Sequence, residues 1–596
     1  MSRVPTVASA DLRRAYRERR LWGAVVLLGA MFLPSTASIA ASGHRTIGAF
    51  LLQMPLDLVT FALVVVAAVG YDAVVGERTS GRVRFLLGRP CTRRDLVLGK
   101  LLSRAVVVAV ALALVLGLAN VLVARGYGRA HLAAFWTMGA WVLLYGVVWT
   151  AVAVGYSAAF ASGYRTLAAL VATYVTFSPD FGVWSVLVRP LFALAVTGSP
   201  DAPTYEVLAN APAWLRVTER LNPLTDFWYA MRWSVEAVGP GTPTGSPLPH
   251  VIGTGVFLLF GAVPLVAGLR RFEVADLGDE GGGGPSWGDR LWRAIADARG
   301  RIAGGRSGPA AAGGRPRALA VARADVRHAL QSWVVLGALA VFVLLVVPQL
   351  WQGIETSTAT TVTEALADIP QTFGLPVLVL GIAVGYGAVA GERETGTVRL
   401  VLGLPVTRRN LVLGKLLSRL AITAATAVAL LAFAEVLVVV RFGGVHPAAM
   451  LAWSGSVLGF ALVWTSVVVG LSAATASRYR TLAAVGGTYL LFGTDVGLWG
   501  PVVRPLLALV FTGEASVRGF VHDADGGPLW FRYADGLNPF VSLETFRAGL
   551  FVAAGRAPEY VHATAPMFLY SVAILFLFGA VPVYLGYRRF DGSDLG

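Results

Sequence analysis

The sequence has little charge, almost no lysine and almost no cysteine. Charged residues make up 14% of its 596 positions, whereas about 25% is usual for a soluble globular protein. The hydrophobic fraction is 56% and the mean hydropathy is +0.67. Long apolar runs account for this deficit of charge, so the composition indicates a polytopic membrane protein and predicts an all-α fold.

The single cysteine, Cys91, excludes an internal disulfide and a cysteine-based zinc site, and we interpret it as a spectator thiol. The run LVLGK resembles the end of a Walker A loop, but Arg94 and Leu101 stand where that loop needs Gly and Ser or Thr. The sequence also lacks HExxH and the G-x-S-x-G elbow. We therefore predict that the chain is not an enzyme.

The formal charge of +15 suggests a nucleic-acid partner at first sight, but the distribution argues against one. The arginines flank the apolar runs, where they would meet the edge of a membrane. We predict contact with membrane lipid and none with nucleic acid.

A polar segment between apolar runs occurs twice, as Gly76–Arg104 and Gly391–Arg419, and we call it the duplicated loop. The two copies share 21 of 29 residues, and the two lysines of the chain, Lys100 and Lys415, occupy the same place in each. The sequence predicts a first six-span unit over 1–278, a flexible Gly/Arg-rich linker over 279–317 and a second unit over 318–596.

The apolar runs predict about twelve transmembrane helices, six in each half. The arginine-rich segments place the N-terminus, the duplicated loop, the linker and the C-terminus in the cytoplasm, so the halves are parallel repeats in the cell membrane. The stretch Ser199–Pro249 reads as polar and external. Predicted spans of the first half lie near 21–41, 50–75, 101–124, 132–159, 166–177 and 251–269, and those of the second near 334–350, 373–390, 416–440, 450–472, 481–492 and 567–587.

Within the duplicated loop, Val83, Leu86 and Leu87 have the spacing of one apolar helix face, and Gly88 and Pro90 end that helix. Thr92 and Asp95 predict a capping box at the start of the next helix, with Thr407 and Asn410 at the matching positions. The shared neutral residues favour a docking surface over simple anchoring by positive charge.

Three patterns in the duplicated loop resemble those of the membrane subunits of type-2 ABC transporters: G-E-R-x-x-G-x-V-R, the turn P-x-T-R-R, and L-G-K-L. The resemblance covers the chain apart from the linker, and the fusion of two units departs from the usual single one. It implies a permease of the exporter type, whose loop between spans two and three docks on a separate ATPase that holds ATP and magnesium. The chain itself would need no cofactor.

Because each half carries one loop, the resemblance implies two ATPase copies per chain and no second permease copy. We expect Glu77, Glu392, Arg93 and Arg408 to make polar contacts and Leu86 and Leu87 to enter an apolar groove. Charge reversal at Arg93 and Arg94 should then leave the fold intact. The full expected docking set is Glu77, Arg78, Gly81, Leu86, Leu87, Arg93, Arg94, Glu392, Arg393, Gly396, Arg408 and Arg409.

Three polar residues in the apolar runs are candidates for a translocation path. Glu435 lies within a predicted span, and Asn120 occupies the matching position in the first half. A mid-bilayer carboxylate costs roughly 2.5–3.5 kcal/mol, so it should face the interior or a cavity. A hydrogen-bonded residue near the outer surface is an equal interpretation. Asp57 should also lie inside, but Thr372 replaces it in the second half.

Two other functions stay open from the sequence. A secondary transporter is also built from repeats but needs paired ionisable residues near the midplane, and few are present. A membrane scaffold or maturation factor without transport is the third class, since some members of the family serve metal-enzyme maturation. The cargo is not encoded in any motif of the sequence.

Overall fold

We analysed a computed structural model of the full chain. The first predicted span is described over 21–26 and at a few later positions up to 36, only scattered positions are described within 58–63 and 343–359, and of the linker only residue 317 is described. All regular structure in the described residues is helical, as the sequence predicts. The continuous described ranges are 3–17, 65–79, 81–88, 91–127, 132–178, 183–199, 211–239, 246–275, 317–331, 361–368, 374–394, 396–402, 406–493, 498–513, 528–555 and 563–593.

The described helices of the first half begin with a surface helix and end with a long apolar one. They are α1 (Val4–Arg17), α2 (Val75–Thr79), α3 (Arg82–Leu87), α4 (Arg93–Tyr127), α5 (Leu132–Ala159), α6 (Gly163–Phe177), a π-helical turn (Trp184–Val188) that continues into α7 (Arg189–Thr197), α8 (Ala213–Arg220), α9 (Pro223–Val238) and α10 (Leu248–Val274).

The second half repeats this order with nearly the same lengths, and two further helices are described between its first helix and its copy of the duplicated loop. Its helices are α11 (Arg317–Gln331), α12 (Val362–Asp368), α13 (Gly374–Gly385), α14 (Ala390–Glu394), α15 (Thr397–Leu402), α16 (Arg408–Phe442), α17 (Pro447–Ala474), α18 (Arg478–Phe492), a π-helical turn (Trp499–Val503), α19 (Arg504–Thr512), α20 (Leu529–Asp535), α21 (Pro539–Ala553) and α22 (Ala565–Asp591).

Six helices in the described part of the chain are long and apolar enough to cross a bilayer, and they coincide with predicted spans three, four and six of each half. They are α4, α5, α10, α16, α17 and α22. Predicted span five is α6, a helix of only 15 residues. Predicted span one of the second half lies almost wholly outside the described residues, whereas span two of that half is described from residue 374 and contains α13. Spans one and two of the first half are described in part.

The core of each half is built around its fourth span. In the first half α5 packs against α4, α9 and α10, and in the second α17 packs against α16, α21 and α22. Trp149 and Tyr145 of α5 are buried in this core, as are Trp464 and Trp453 of α17.

Glycine allows the fourth and sixth spans to touch through their backbones. A Cβ atom on Gly155 would lie 2.5 Å from the carbonyl carbon of Pro264, and one on Gly470 would lie 2.4 Å from that of Pro582. On the sixth span, a Cβ atom on Gly268 would lie 2.0 Å from the carbonyl oxygen of Gly155, and one on Gly586 would lie 2.1 Å from that of Gly470. Small residues at a helix interface let two backbones approach, which drives association in lipid because apolar burial gives no advantage there.

The stretch predicted as polar and external contains a buried helix. Asn222 caps the start of α9 by accepting hydrogen bonds from the backbone N–H groups of Leu224 and Thr225. Phe227 and Met231, one turn apart, are fully buried against α5 and α10. Asn538 caps α21 in the same way. Part of 199–249 therefore belongs to the helical core, a correction to the sequence analysis.

Candidate functional site: the duplicated loop

The first turn of the duplicated loop depends on a glycine. Gly81 lies between α2 and α3 with φ = 71°, and Gly396 lies between α14 and α15 with φ = 74°. Side chains with a Cβ atom are disfavoured in this left-handed region. Both glycines belong to the expected docking set, and the geometry gives them a conformational role.

The start of the long helix after the turn follows the prediction. Thr92 Oγ1 accepts a hydrogen bond from the Asp95 N–H, and Asp95 Oδ2 accepts one from the Thr92 N–H, each at 3.1 Å. This reciprocal pair is the predicted capping box. In the second copy Thr407 accepts from the Asn410 N–H at 3.2 Å. The capping box is confirmed in the first copy, and the second copy shows the N-cap bond to Thr407.

The two lysines are buried at the centre of two matching charge clusters. Lys100 Nζ lies 2.6 Å from Asp11 Oδ1 of α1 and 2.7 Å from Glu77 Oε1 of α2. Ser103 Oγ donates to Asp11 Oδ2 at 2.8 Å, and Arg104 also pairs with this carboxylate. Lys100 is 4% exposed, so the ammonium is withdrawn from water.

The second half builds the same cluster with the matching residues. Lys415 pairs with Asp325 of α11 and with Glu392 of α14, while Ser418 Oγ donates to Asp325 at 2.6 Å. Arg419 adds a contact to Asp325 at 3.2 Å. We call each set a lysine cluster: Asp11, Glu77, Lys100, Ser103 and Arg104 in the first half, and Asp325, Glu392, Lys415, Ser418 and Arg419 in the second.

The aspartates of both clusters are held in the charged form. Burial would raise the pKa of Asp11, but the cations Lys100 and Arg104, with hydrogen bonds from Lys100 and Ser103, hold its pKa below the ordinary value. Burial opposes the charge of Asp325 too, and Arg419, Lys415 and Ser418 lower its pKa. Each surface helix is thus joined to the long span by ionised groups.

A close backbone contact joins the same two helices. A Cβ atom on Gly99 would lie 2.6 Å from Cβ of Val7, and one on Gly414 would lie 2.6 Å from Cβ of Val321. This contact explains why L-G-K-L is shared between the copies, since the glycine admits the surface helix and the lysine binds it.

A second anchor joins the loop to the end of the last span. Arg93 Nη1 donates to the backbone carbonyls of Phe272, Glu273 and Ala275 at 2.6–2.7 Å. These carbonyls end α10, where the helix dipole is negative and its last C=O groups lack helical partners. Arg408 makes the same contacts with the carbonyls of Phe590, Asp591 and Ser593.

An aromatic ring completes each of these anchors. The Phe272 ring lies 5.6 Å from the Arg78 guanidinium and 5.7 Å from that of Arg93. The Phe590 ring lies 5.4 Å from Arg393 and 5.6 Å from Arg408. Both rings are fully buried, so these cation–π contacts are partly desolvated. We call each set an arginine anchor: Arg78, Arg93 and Phe272 in the first half, Arg393, Arg408 and Phe590 in the second.

Several residues expected to contact a partner therefore have partners inside the chain. Glu77, Glu392, Arg78, Arg393, Arg93 and Arg408 belong to the lysine clusters and arginine anchors. Leu86 and Leu87 pack partly against the chain's own buried cluster, which includes Val83 and Phe272. Because Arg93 caps α10, these contacts argue that charge reversal at Arg93 would destabilise the fold, contrary to the expectation from the sequence.

The outward face of the loop is made of other residues. Phe85 is 81% exposed, and Arg82 and Arg94 are exposed on the same short segment. Arg94 pairs with Glu273 at the end of α10. In the second copy Arg399 and Arg409 are exposed. Phe85 is not predicted from the sequence because apolar periodicity identifies the buried face of α3 and Phe85 lies off it.

Two of the three candidates for a translocation path lie within the described residues. Glu435 of α16 accepts a hydrogen bond from Ser454 of α17, so its carboxylate is half-buried between two spans. Asn120 lies half-buried in α4. Asp57 lies outside the described residues. The hydrogen-bonded interpretation of Glu435 fits this geometry.

The fold and the loop define an all-α, multi-pass membrane protein built from two copies of one helical plan. A family model described as ABC-2 family transporter protein matches residues 6–277 and again 319–595. The chain belongs to this family, and each match covers one half.

A similar protein is the Probable ABC transporter permease protein NosY of Pseudomonas aeruginosa, at 29% identity over 184 residues. The alignment covers 30% of this chain and 64% of that protein. Less than two thirds of the relative's length is therefore matched.

Proposed function

We propose that the chain is the permease of an ATP-driven exporter in the cell membrane, and that one ATPase subunit docks on each copy of the duplicated loop. Membership of the ABC-2 family and the likeness to an ABC transporter permease support this function. ATP and magnesium would be held by the partner subunit. Cargo would pass between the spans, without chemistry on this chain.

The proposal rests mainly on Phe85, an exposed aromatic residue on a helix that is fixed to the protein core. Phe85 projects from α3, while Val83 on the same helix is 3% exposed and fixed in the core. Aromatic residues and arginine are enriched at protein–protein interfaces. The exposed Arg82 lies on the same short helix as Phe85, and the exposed Arg94 follows at the start of α4.

The lysine cluster and the arginine anchor behind this surface would transmit a movement of the loop to the membrane spans. The lysine cluster joins the loop to α1 and α4, and the arginine anchor joins it to the end of α10. An ATPase that displaces the loop would therefore move the surface helix and two spans together. Glu77, Arg78, Arg93 and their counterparts serve in this proposal as positioning residues behind the contact surface.

Cross-linking tests the docking site. In a Cys91→Ser background the chain has no cysteine, so single cysteines can replace Phe85 or the matching Leu400. A thiol-to-amine reagent should link either cysteine to the ATPase. Val238→Cys, exposed at the end of α9 that contacts the start of α5, should give no link. A stable complex that cross-links at neither loop would refute this docking site.

Both termini and the linker are placed in the cytoplasm by this proposal, on the basis of the arginine distribution. A single cysteine at Gly282, again with Cys91→Ser, should react with a membrane-impermeant maleimide only after the cells are opened. Labelling of intact cells would place the linker outside.

A further inference from the structure

An apolar groove runs along the second half between three of its long helices. It has a volume of about 580 Å³ and is lined by α16, α17 and α22. Leu416 and Leu420 form one wall, Val463 another and Phe576 a third, over a base of Gly579 and Ala580. The volume lies within the roughly 300–1,000 Å³ of ordinary ligand sites.

The polar groups of the groove lie towards one end. Arg409, the second residue of α16, lies at this end, and Tyr584 and Tyr587 come from the last turns of α22. Ser466 is the other polar lining residue. This end is the one that carries the duplicated loop, while the remainder of the groove extends along the apolar part of the helices.

Arg409 differs from its counterpart in the first half. Arg94 pairs with Glu273, whereas no acidic side chain among the described residues lies within 4.0 Å of the Arg409 guanidinium. Asp591, one methylene shorter, stands at the position that matches Glu273. An exposed guanidinium therefore faces the open end of an apolar groove.

The first half lacks the other polar groups as well. Leu269, Val266 and Ala151 stand at the positions of Tyr587, Tyr584 and Ser466. These substitutions leave an aliphatic surface on the first half where the second has two phenols and a hydroxyl. The arrangement is thus specific to the second half, even though the duplicated loop is shared.

We propose that this groove binds one anionic phospholipid of the leaflet on the loop side, with an acyl chain between α16, α17 and α22 and its phosphate at Arg409. Guanidinium and phosphate form paired hydrogen bonds. Tyrosine is enriched at the headgroup level of membranes, where the ring is apolar and the hydroxyl is wet. Because the three helices that line the groove span the membrane, a phospholipid can enter the groove directly from the bilayer.

Native mass spectrometry of the permease alone tests the site. The full chain is purified from vesicles of equal phosphatidylglycerol and phosphatidylcholine, and the lipid that survives mild activation is counted. The wild type should retain one phosphatidylglycerol. Arg409→Gln should reduce that retention at least tenfold, and the matched Arg94→Gln should not. Added inorganic phosphate should not displace the lipid, because phosphate lacks the chain.

Filling the groove gives an independent variant. Ala580→Trp should also abolish retention while Arg409 is intact, and its melting temperature shows whether it is folded. If Ala580→Trp does not fold, Arg409→Gln alone decides, because its side chain is exposed. The proposal is overturned if the wild type retains no lipid, retains both lipids equally, or retains as much after Arg409→Gln as before.

Discussion

Lys100 and Lys415 are the only two lysines of the chain, and both are buried in ion pairs. Each ammonium is buried between two carboxylates of different helices. Their shared position is visible in the sequence, but their role is not. The partners Asp11 and Asp325 lie about 90 residues away, and an offset of 314 relates them instead of the 315 that relates the lysines. Only the packing of α1 and α11 brings them together.

Replacing Lys100 with Met should destabilise the protein strongly. Asp11 and Glu77 would stay buried without their ammonium, and loss of one partner of a buried pair costs about 3–5 kcal/mol. The melting temperature in detergent measures this. Arg232→Ala, which breaks an exposed pair with Glu236, should cost less than about 1 kcal/mol. Equal melting temperatures for Lys100→Met and the wild type would contradict the buried cluster.

Adjacent arginines should respond differently to charge reversal. Arg93→Glu removes the cap of α10 and places a carboxylate against the negative helix end, so we expect a loss of about 3 kcal/mol or more. Arg94→Glu changes an exposed side chain and should leave the melting temperature close to that of the wild type. The pair is compared by thermal unfolding without the ATPase. A larger loss for Arg94→Glu than for Arg93→Glu would contradict the assigned geometry.

Helices differ in how far the sequence reveals them. The long span α4 is predictable because its run is apolar and Thr92 with Asp95 marks its start. The short α9 is not, because charged and proline-rich neighbours dilute its apolar face. Phe227 and Met231 are buried only because α5 and α10 leave a space for them. Burial of that kind depends on tertiary packing and leaves a weak pattern in the sequence.

The backbone contact between the fourth and sixth spans should tolerate no side chain. Gly155→Leu would push a side chain into the Pro264 backbone, and overpacking of this kind costs about 1–3 kcal/mol or more. Gly117→Leu in α4 is the matched control, because no atom of another described element lies within 4 Å of a Cβ atom at Gly117. Both variants are compared by yield and melting temperature. A tolerated Gly155→Leu would show that the two helices do not pack through this glycine.

At the scale of the whole molecule, the duplication explains why one chain would suffice for two ATPases. Both lysine clusters, both arginine anchors and both turn glycines are present. The sequence predicts the repeat and the six long spans, while the inward direction of Glu77 and Arg93 could not be read from it. A motif records that residues are shared but not which side of a helix they occupy.

The two halves are not interchangeable, however. Between the two copies, the outward residues of the loop differ more than those of the lysine clusters and arginine anchors, since Arg82 matches Thr397 and Phe85 matches Leu400. One ATPase used twice is the simpler arrangement, because the shared residues outnumber the different ones. Two different ATPases would instead select the loops by these outward positions.

The number of ATPase subunits bound per chain tests the central claim most directly. Native mass spectrometry of the complex should give two ATPases on one wild-type permease. Phe85→Asp should leave one, and Phe85→Asp with Leu400→Asp should leave none, while the permease keeps its melting temperature. A wild-type ratio of one to one, or a ratio of two that survives both substitutions, would contradict docking through the two loops.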